Sequence, residues 1–223
     1  MRKKLLFSIR DADELKTKEY FKDAKIYLDN TDPIDILKRI EGNELRSHKN
    51  LTLSHNSMYA LMAELGGLDP VLSHYFSEKY AILIENSQTI HEIDQLHTEM
   101  IERYSSPSYR FNQLNGVSLS TKVTQYITNN FMNELNIQTI ADKFFVTKEH
   151  LMRTFKKETN QTINDVIRSH RLKEAEELLA RSSLFVTDIS MMVGYNSVQY
   201  FSTVFKEAYG VSPTKYQKDK HEE

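Results

Sequence analysis

Apolar residues along the chain recur at spacings of three and four, and runs of strict alternation are scarce. That period is the helical one, and it predicts an all-α protein. The first half reads as about five short helices. "MRKKLLFSIR" starts one of them. "TDPIDILKRIEGN" takes Asp32 as its N-cap, Pro33 as its first helical residue and Gly42 as its stop. "HKNLTLSHNSMYALMAELGG" places Leu51, Met58, Leu61, Met62 and Leu65 largely on one face and ends at Gly66-Gly67. "LDPVLSHYFSEKYAILIEN" repeats the Asp-Pro start at Asp69-Pro70. "TIHEIDQLHTEMIERY" opens on a capping box from Thr89 to Glu92 and stripes Ile93, Leu96, Met100 and Ile101. Ser, Pro, Asn and Gly then cluster in "SSPSYRFNQLNG" (105–116), the expected domain boundary. The chain divides into a helical module over 1–108, a linker over 109–116 and a second domain over 117–223.

In the second half the helical pattern repeats itself. "HLMRTFKKETN" (150–160) and "YFSTVFKEAYG" (200–210) echo each other 50 positions apart (205 − 155 for their phenylalanines). Each is preceded by a short apolar helix and a turn. Ile140 and Phe144 match Ile189 and Val193 at a separation of 49. Thr147, Leu151, Phe155 and Lys156 match Ser197, Phe201, Phe205 and Lys206 at 50, so the second turn, "GYNS", is one residue longer than the first, "FVT". Asn160 and Gly210 fall together after the helix, where a left-handed residue is common. The units span about 136–160 and 187–210. Between them "INDVIRSHRLKEAEELLAR" (163–181) is one longer amphipathic helix, striped by Ile163, Val166, Ile167, Leu172, Ala175, Leu178 and Leu179.

Each unit is therefore helix, turn, helix. Thr147 and Ser197 suit the N-cap of the second helix, which buries Leu151/Phe155 in one copy and Phe201/Phe205 in the other. The first turn and outer face carry Lys148, Glu149, Met152, Arg153 and Lys156 in one helix. In the other, Val198, Gln199, Ser202, Thr203 and Lys206 follow the capping Ser197. A helix anchored by aromatics, with polar and cationic groups on its N-terminal half, suits a DNA major groove. Arg153 matches guanine O6/N7, Gln199 matches adenine N6/N7, and Val198 or Met152 matches a thymine methyl. Lysines and helix N-termini suit phosphates. An inert α-solenoid is the competing account of the repeat, but two copies are fewer than a solenoid needs.

Composition narrows the choice. The 223 residues carry 29 Lys+Arg against 31 Asp+Glu, a net charge of −2, so bulk charge does not argue for nucleic acid and a local patch must. Residues 115–223 hold 14 Lys/Arg and 13 Asp/Glu, a balance of +1 (14 − 13). There is no cysteine. That removes disulfides, thiolate metal sites and cysteine nucleophiles, and fits a cytoplasmic protein. No apolar run approaches the roughly 18 residues that span a bilayer. The apolar run of "MRKKLLFSIR" stops at Arg10, too short for a signal-peptide core. No Gly-rich phosphate loop, H-E-x-x-H or nucleophile elbow appears. No catalytic function, cofactor or metal is expected.

The stretches "IADKFFVTKEHLMRTFKKETNQTINDVIRSHRLKEAEELL" and "VTDISMMVGYNSVQYFSTVFKEAYGVSPTKY" make residues 115–223 resemble the DNA-binding domain of the AraC/XylS family of bacterial transcription regulators. The ordered "VGY", "YFSTVFK" and "GVSPTKY" carry most of that likeness. The resemblance implies a seven-helix, homeodomain-like tandem domain, two recognition helices in successive major grooves, and double-stranded DNA as partner. It also implies RNA polymerase as the target of a transcription activator. The chain departs from the family at Asn160, where Gly is usual, and at Ser190, where Ala is usual. It also lacks an arginine on the second reading face, and Glu149 is acidic where the first faces DNA.

Residues 1–108 resemble, more loosely, the helical segment that precedes this domain in some Gram-positive AraC-type regulators. They lack the strand alternation of a sugar-binding barrel. The likeness implies a regulatory bundle that could dimerise or take a small-molecule or protein effector. Its five histidines, His48, His55, His74, His91 and His97, have spacings that do not suit shared ligation on one helix face. Arg46, His48 and Lys49 form a basic cluster that could hold an anion or be solvated. Tyr59, Tyr75, Phe76 and Tyr80 with Met58, Met62 and Met100 could line a pocket, pack a core or make a dimer seam.

Overall fold

The computed structural model describes residues 1–30, 40–110 and 116–222, without the side chains of 25 and 27–30. Most of "TDPIDILKRIEGN" and of the 109–116 linker lies outside the described residues. At the chain start, helix α1 (Arg2–Arg10) stops where Ala12 takes a left-handed backbone at φ 52°. Helix α2 (Glu14–Asn30) begins behind Asp13, whose carboxylate accepts from the Lys16 N–H at 3.1 Å. "DADE" is thus a corner between two helices.

Helix α3 (Glu44–Leu65) starts on Asn43 and α4 (Pro70–Asn86) on Asp69, whose carboxylate caps two N–H groups while Pro70 takes the first position. In α5 (Ile90–Ser105) Thr89 accepts from Glu92 N, and the Glu92 carboxylate returns to Gln88 N at 2.7 Å, one residue before the cap. A short 3-10 turn, Pro107–Tyr109, follows.

The face that α3 buries differs from the stripe its apolar residues suggest. Ser47, Thr52, Asn56, Tyr59, Ala60 and Ala63 are buried, whereas Leu61 and Leu65 are 57% and 66% exposed. Small side chains let α4 and α5 approach closely. Asn56 is satisfied there, donating to Ser77 O at 2.8 Å and accepting from the Tyr104 hydroxyl at 2.8 Å. Leu72, Phe76, Tyr80, Leu83, Ile93, Leu96 and Met100 are buried in the same unit, so Tyr80, Phe76 and Met100 are core residues. Buried Arg110 donates to Ile9 O and Tyr104 O, tying the ends of α1 and α5, and burial lowers its pKa to about 10, still cationic at neutral pH. Both cations of the basic cluster are engaged with protein. Arg46 pairs with Glu85 at 2.7 Å and Lys49 donates to Glu85 O at 2.6 Å, a cation at the C-terminal end of α4. His55 and His97, from different helices, stack at 5.0 Å, with the Tyr59 hydroxyl 3.0 Å from His97 Nε2.

The chain divides into two compact units, Met1–Gln113 and Leu114–Glu223. The second holds α6 (Leu119–Asn130), α7 (Ile137–Lys143), α8 (Lys148–Thr159), α9 (Ile163–Arg181), α10 (Val186–Met192), α11 (Val198–Tyr209) and α12 (Pro213–Glu222). Among the described residues there are seven helices in this unit and no strand; the first unit has one isolated bridge, Leu68 to Arg110. No described helix is long and apolar enough to cross a membrane.

Helix α9 serves two cores. Its first half gives Ile163 and Ile167 to a cluster with Val123, Ile127, Ile140, Ala141, Leu151 and Phe155. Its second half buries Leu172, Ala175, Leu178 and Leu179 where α10 and α12 pack on it. Phe201, Val204 and Phe205 are buried from α11.

Candidate nucleic-acid interface

The two helix-turn-helix units share their backbone hydrogen bonds as well as their sequence pattern. At the first turn Val146 N donates to Ala141 O at 3.1 Å; at the second, Tyr195 N donates to Ser190 O at 2.9 Å. The residue before each is left-handed, Phe145 at φ 55° and Gly194 at φ 90°. The Thr147 hydroxyl accepts from His150 N at 3.2 Å and the Ser197 hydroxyl from Tyr200 N at 3.3 Å. After α8 and α11, Asn160 (φ 58°) and Gly210 (φ 80°) are left-handed, each donating to the carbonyl four residues back. Ser190 fills its small buried site by turning its hydroxyl onto Thr187 O at 2.8 Å.

This frame sets what α8 and α11 present. Leu151 and Phe155 hold α8, and Phe201 and Phe205 hold α11, all fully buried. Each such side chain contributes about 1.5–3 kcal/mol of burial. Opposite them, Lys148, Glu149, Met152, Arg153 and Lys156 are exposed on α8. On α11, Gln199, Thr203 and Lys206 are exposed with the capping Ser197, while Val198 and Ser202 are half-buried. The structure thus gathers the sequence-selected residues into two outward faces, one per helix. Their engagement differs. Lys156 Nζ donates to Asn160 O at 2.8 Å and so leans toward the C-terminal end of α8. The Gln199 side-chain Oε1 accepts from the Ser197 hydroxyl at 3.1 Å, and the Thr203 hydroxyl donates to the Gln199 backbone O at 3.0 Å. Sequence reasoning passed over His150 and Tyr200, both exposed in the first turn, Tyr200 by 60%. The 50-residue offset pairs them and was the signal available.

Carboxylates near α8 are held by hydroxyls. Ser120 donates to Glu158, linking α6 to α8, and this bond holds the Glu158 carboxyl below its ordinary value. In α9, Asp165 is held low by Thr162, its reciprocal capping partner. Burial pushes the Tyr195 phenol up to about 12, so it stays neutral beneath the Arg171 guanidinium, 5.4 Å from its ring centre. Among the described residues no group of three or more His, Cys, Asp or Glu could hold a metal ion.

A family model described as a helix-turn-helix domain matches residues 140–219. The transcriptional activator AarP of Providencia stuartii is 33% identical over 99 residues, which take in 44% of this chain and 73% of AarP. The chain belongs to the AraC/XylS family of transcription regulators. An HTH-type regulator of Pseudoalteromonas carrageenovora is 38% identical to this AraC/XylS member over 93 residues, 42% of the chain and 55% of that regulator. The chain thus spans about half the length of that relative. The C-terminal domain of AraT, a response regulator from Geobacillus stearothermophilus, is a similar solved structure. It is 31% identical with a TM-score of 0.45, over 47% of this chain and 88% of that one.

Proposed function

We propose that the protein is a sequence-specific DNA-binding transcription regulator that reads two successive major grooves, one with α8 and one with α11. The observation that carries this reading is the pair of matched, outward faces mounted on one shared helix. Helix α9 has 19 residues and so is about 28 Å long, comparable with the roughly 34 Å of one DNA helical turn. The two faces are unequal. Helix α8 offers Lys148 and Arg153 as exposed cations, whereas α11 offers Lys206 and the amide of Gln199. In this reading α8 supplies most of the phosphate attraction and a guanine contact, and α11 adds an adenine contact from Gln199. Glu149, in the first turn of α8, accepts from cytosine N4 or trims non-specific affinity. Activation, with RNA polymerase as the eventual partner, is proposed by likeness to activators such as AarP. The first unit is assigned to regulation, through a second copy of the chain or an effector.

The test is selection of genomic fragments by the full chain at near-physiological salt, followed by sequencing. The expected product is a site with two half-elements about ten base pairs apart. Arg153→Ala and Gln199→Ala should each lose about 1–3 kcal/mol and relax preference at one position of one half-element. A flat profile, or a double variant that selects the wild-type site unchanged, would overturn the reading.

A further inference from the structure

Half-site spacing depends on how rigidly the two helix-turn-helix units are held together, and α9 alone does not account for that. At the middle of α9 a second connection runs across the domain. Phe131, the residue that closes α6, is fully buried, its ring 4.6 Å edge-on from His170. The backbone just after α6 approaches the turn of the second unit so closely that a Cβ on Gly194 would lie 2.5 Å from Phe131 O and 2.9 Å from Met132 O. Arg171, on α9, reaches both sides of this junction. Its Nε donates to Phe131 O at 2.8 Å and its Nη2 to Asn133 O at 2.8 Å. Its guanidinium lies over the Tyr195 ring at 5.4 Å.

Phe131 O stands at the C-cap of α6, where a helix leaves acceptors without intrahelical donors and carries partial negative charge, and Asn133 O lies in the turn just beyond it. One planar fork satisfies both while its face rests on the aromatic ring of the other unit. Lysine has the charge but neither the fork nor the flat face. The carbonyls belong to the segment leading into α7 and α8; Tyr195 belongs to the turn leading into α11. A side chain that fixes one against the other fixes the angle between the two reading helices.

We propose that Arg171, seated on Tyr195 and against Gly194, is a positioning residue that sets the spacing of the two DNA half-elements. Its consequence for DNA rests on the reading that both α8 and α11 enter grooves; the rigidity itself does not.

Two measurements on the full chain separate these. The chain has no cysteine, so Lys157→Cys and Glu207→Cys, exposed on α8 and α11, give two unique spin-label positions. Pulsed dipolar spectroscopy should show one narrow distance distribution in the otherwise wild-type chain. The distribution should broaden in Arg171→Lys and in Tyr195→Leu, with helicity by circular dichroism retained. Binding to a DNA library with spacers of roughly eight to thirteen base pairs, bracketing one helical turn, gives the second readout. Wild type should prefer one spacing. The variants should weaken that preference by about tenfold, the factor that 1.4 kcal/mol gives, while keeping the base preferences of each half-element. Equally narrow distances in wild type and folded variants would overturn the positioning role. Broadened distances with unchanged spacing preference would overturn its link to DNA spacing. A wild-type chain that selects no paired half-elements would overturn the two-groove reading, and the spacing role with it.

Discussion

Phe145 and Gly194 occupy the same corner of the two repeats, and their neighbourhoods explain why one is phenylalanine and the other glycine. Both backbones are left-handed, at φ 55° and 90°. Phe145 is 96% exposed; nothing crowds its Cβ out, and the cost is the roughly 1–2 kcal/mol of left-handed backbone. At position 194 any side chain would meet that cost and a backbone carbonyl as well. Phe145→Gly should therefore leave stability within about 1 kcal/mol of wild type, on the stabilising side, since lost strain exceeds the added freedom of the unfolded chain. Gly194→Ala should cost more than the roughly 1–2 kcal/mol of strain alone. Paired urea titrations of the two variants should show midpoints moving in opposite directions. Gly66 makes a different case. Its φ is ordinary at −91°, but a Cβ there would collide with Arg10 O, so space alone demands the glycine.

At the scale of the helices, caps and anchors decide where the exposed faces point. Thr147→Ala and Ser197→Ala each remove the acceptor for an orphan N–H and should cost about 1 kcal/mol, read as a lowered thermal midpoint. Each also frays the turn that carries the proposed base contacts. The helices, caps and left-handed stops of the second half were legible because they rest on local rules and on a repeat that states them twice. What was not legible involves partners distant in sequence. Apolarity suggested Leu61 and Leu65 as the inner face of α3, but Ala60 and Ala63 let helices approach, and close packing chose them. His55 and His97 share no helix, so spacing along the chain could not reveal their stack. Arg171 showed no sign of its place because its hydrogen-bond partners are backbone carbonyls, which carry no sequence signature.

Across the whole second unit, charge and stability are linked through hydroxyl-held carboxylates. Glu158 and Asp165 have folded pKa values below their ordinary 4.5 and 3.8. A group depressed on folding stabilises above its unfolded pKa and loses that contribution as pH falls. The urea midpoint should therefore stay level from neutral pH to about 5 and drop as these groups protonate. Ser120→Ala, which removes the donor to Glu158, should flatten the acid limb; an unchanged limb would place the acid sensitivity elsewhere. Helix α9 has a consequence of another kind. The two turns differ by a residue, 144–147 against 193–197, and both work, because a turn absorbs length locally. A residue inserted into α9 cannot be absorbed that way. It would wind one unit about 100° around the helix axis relative to the other and advance it roughly 1.5 Å, taking α8 and α11 out of phase as a pair. Length variation in this domain should accordingly be tolerated in the corners and excluded from the shaft that joins them.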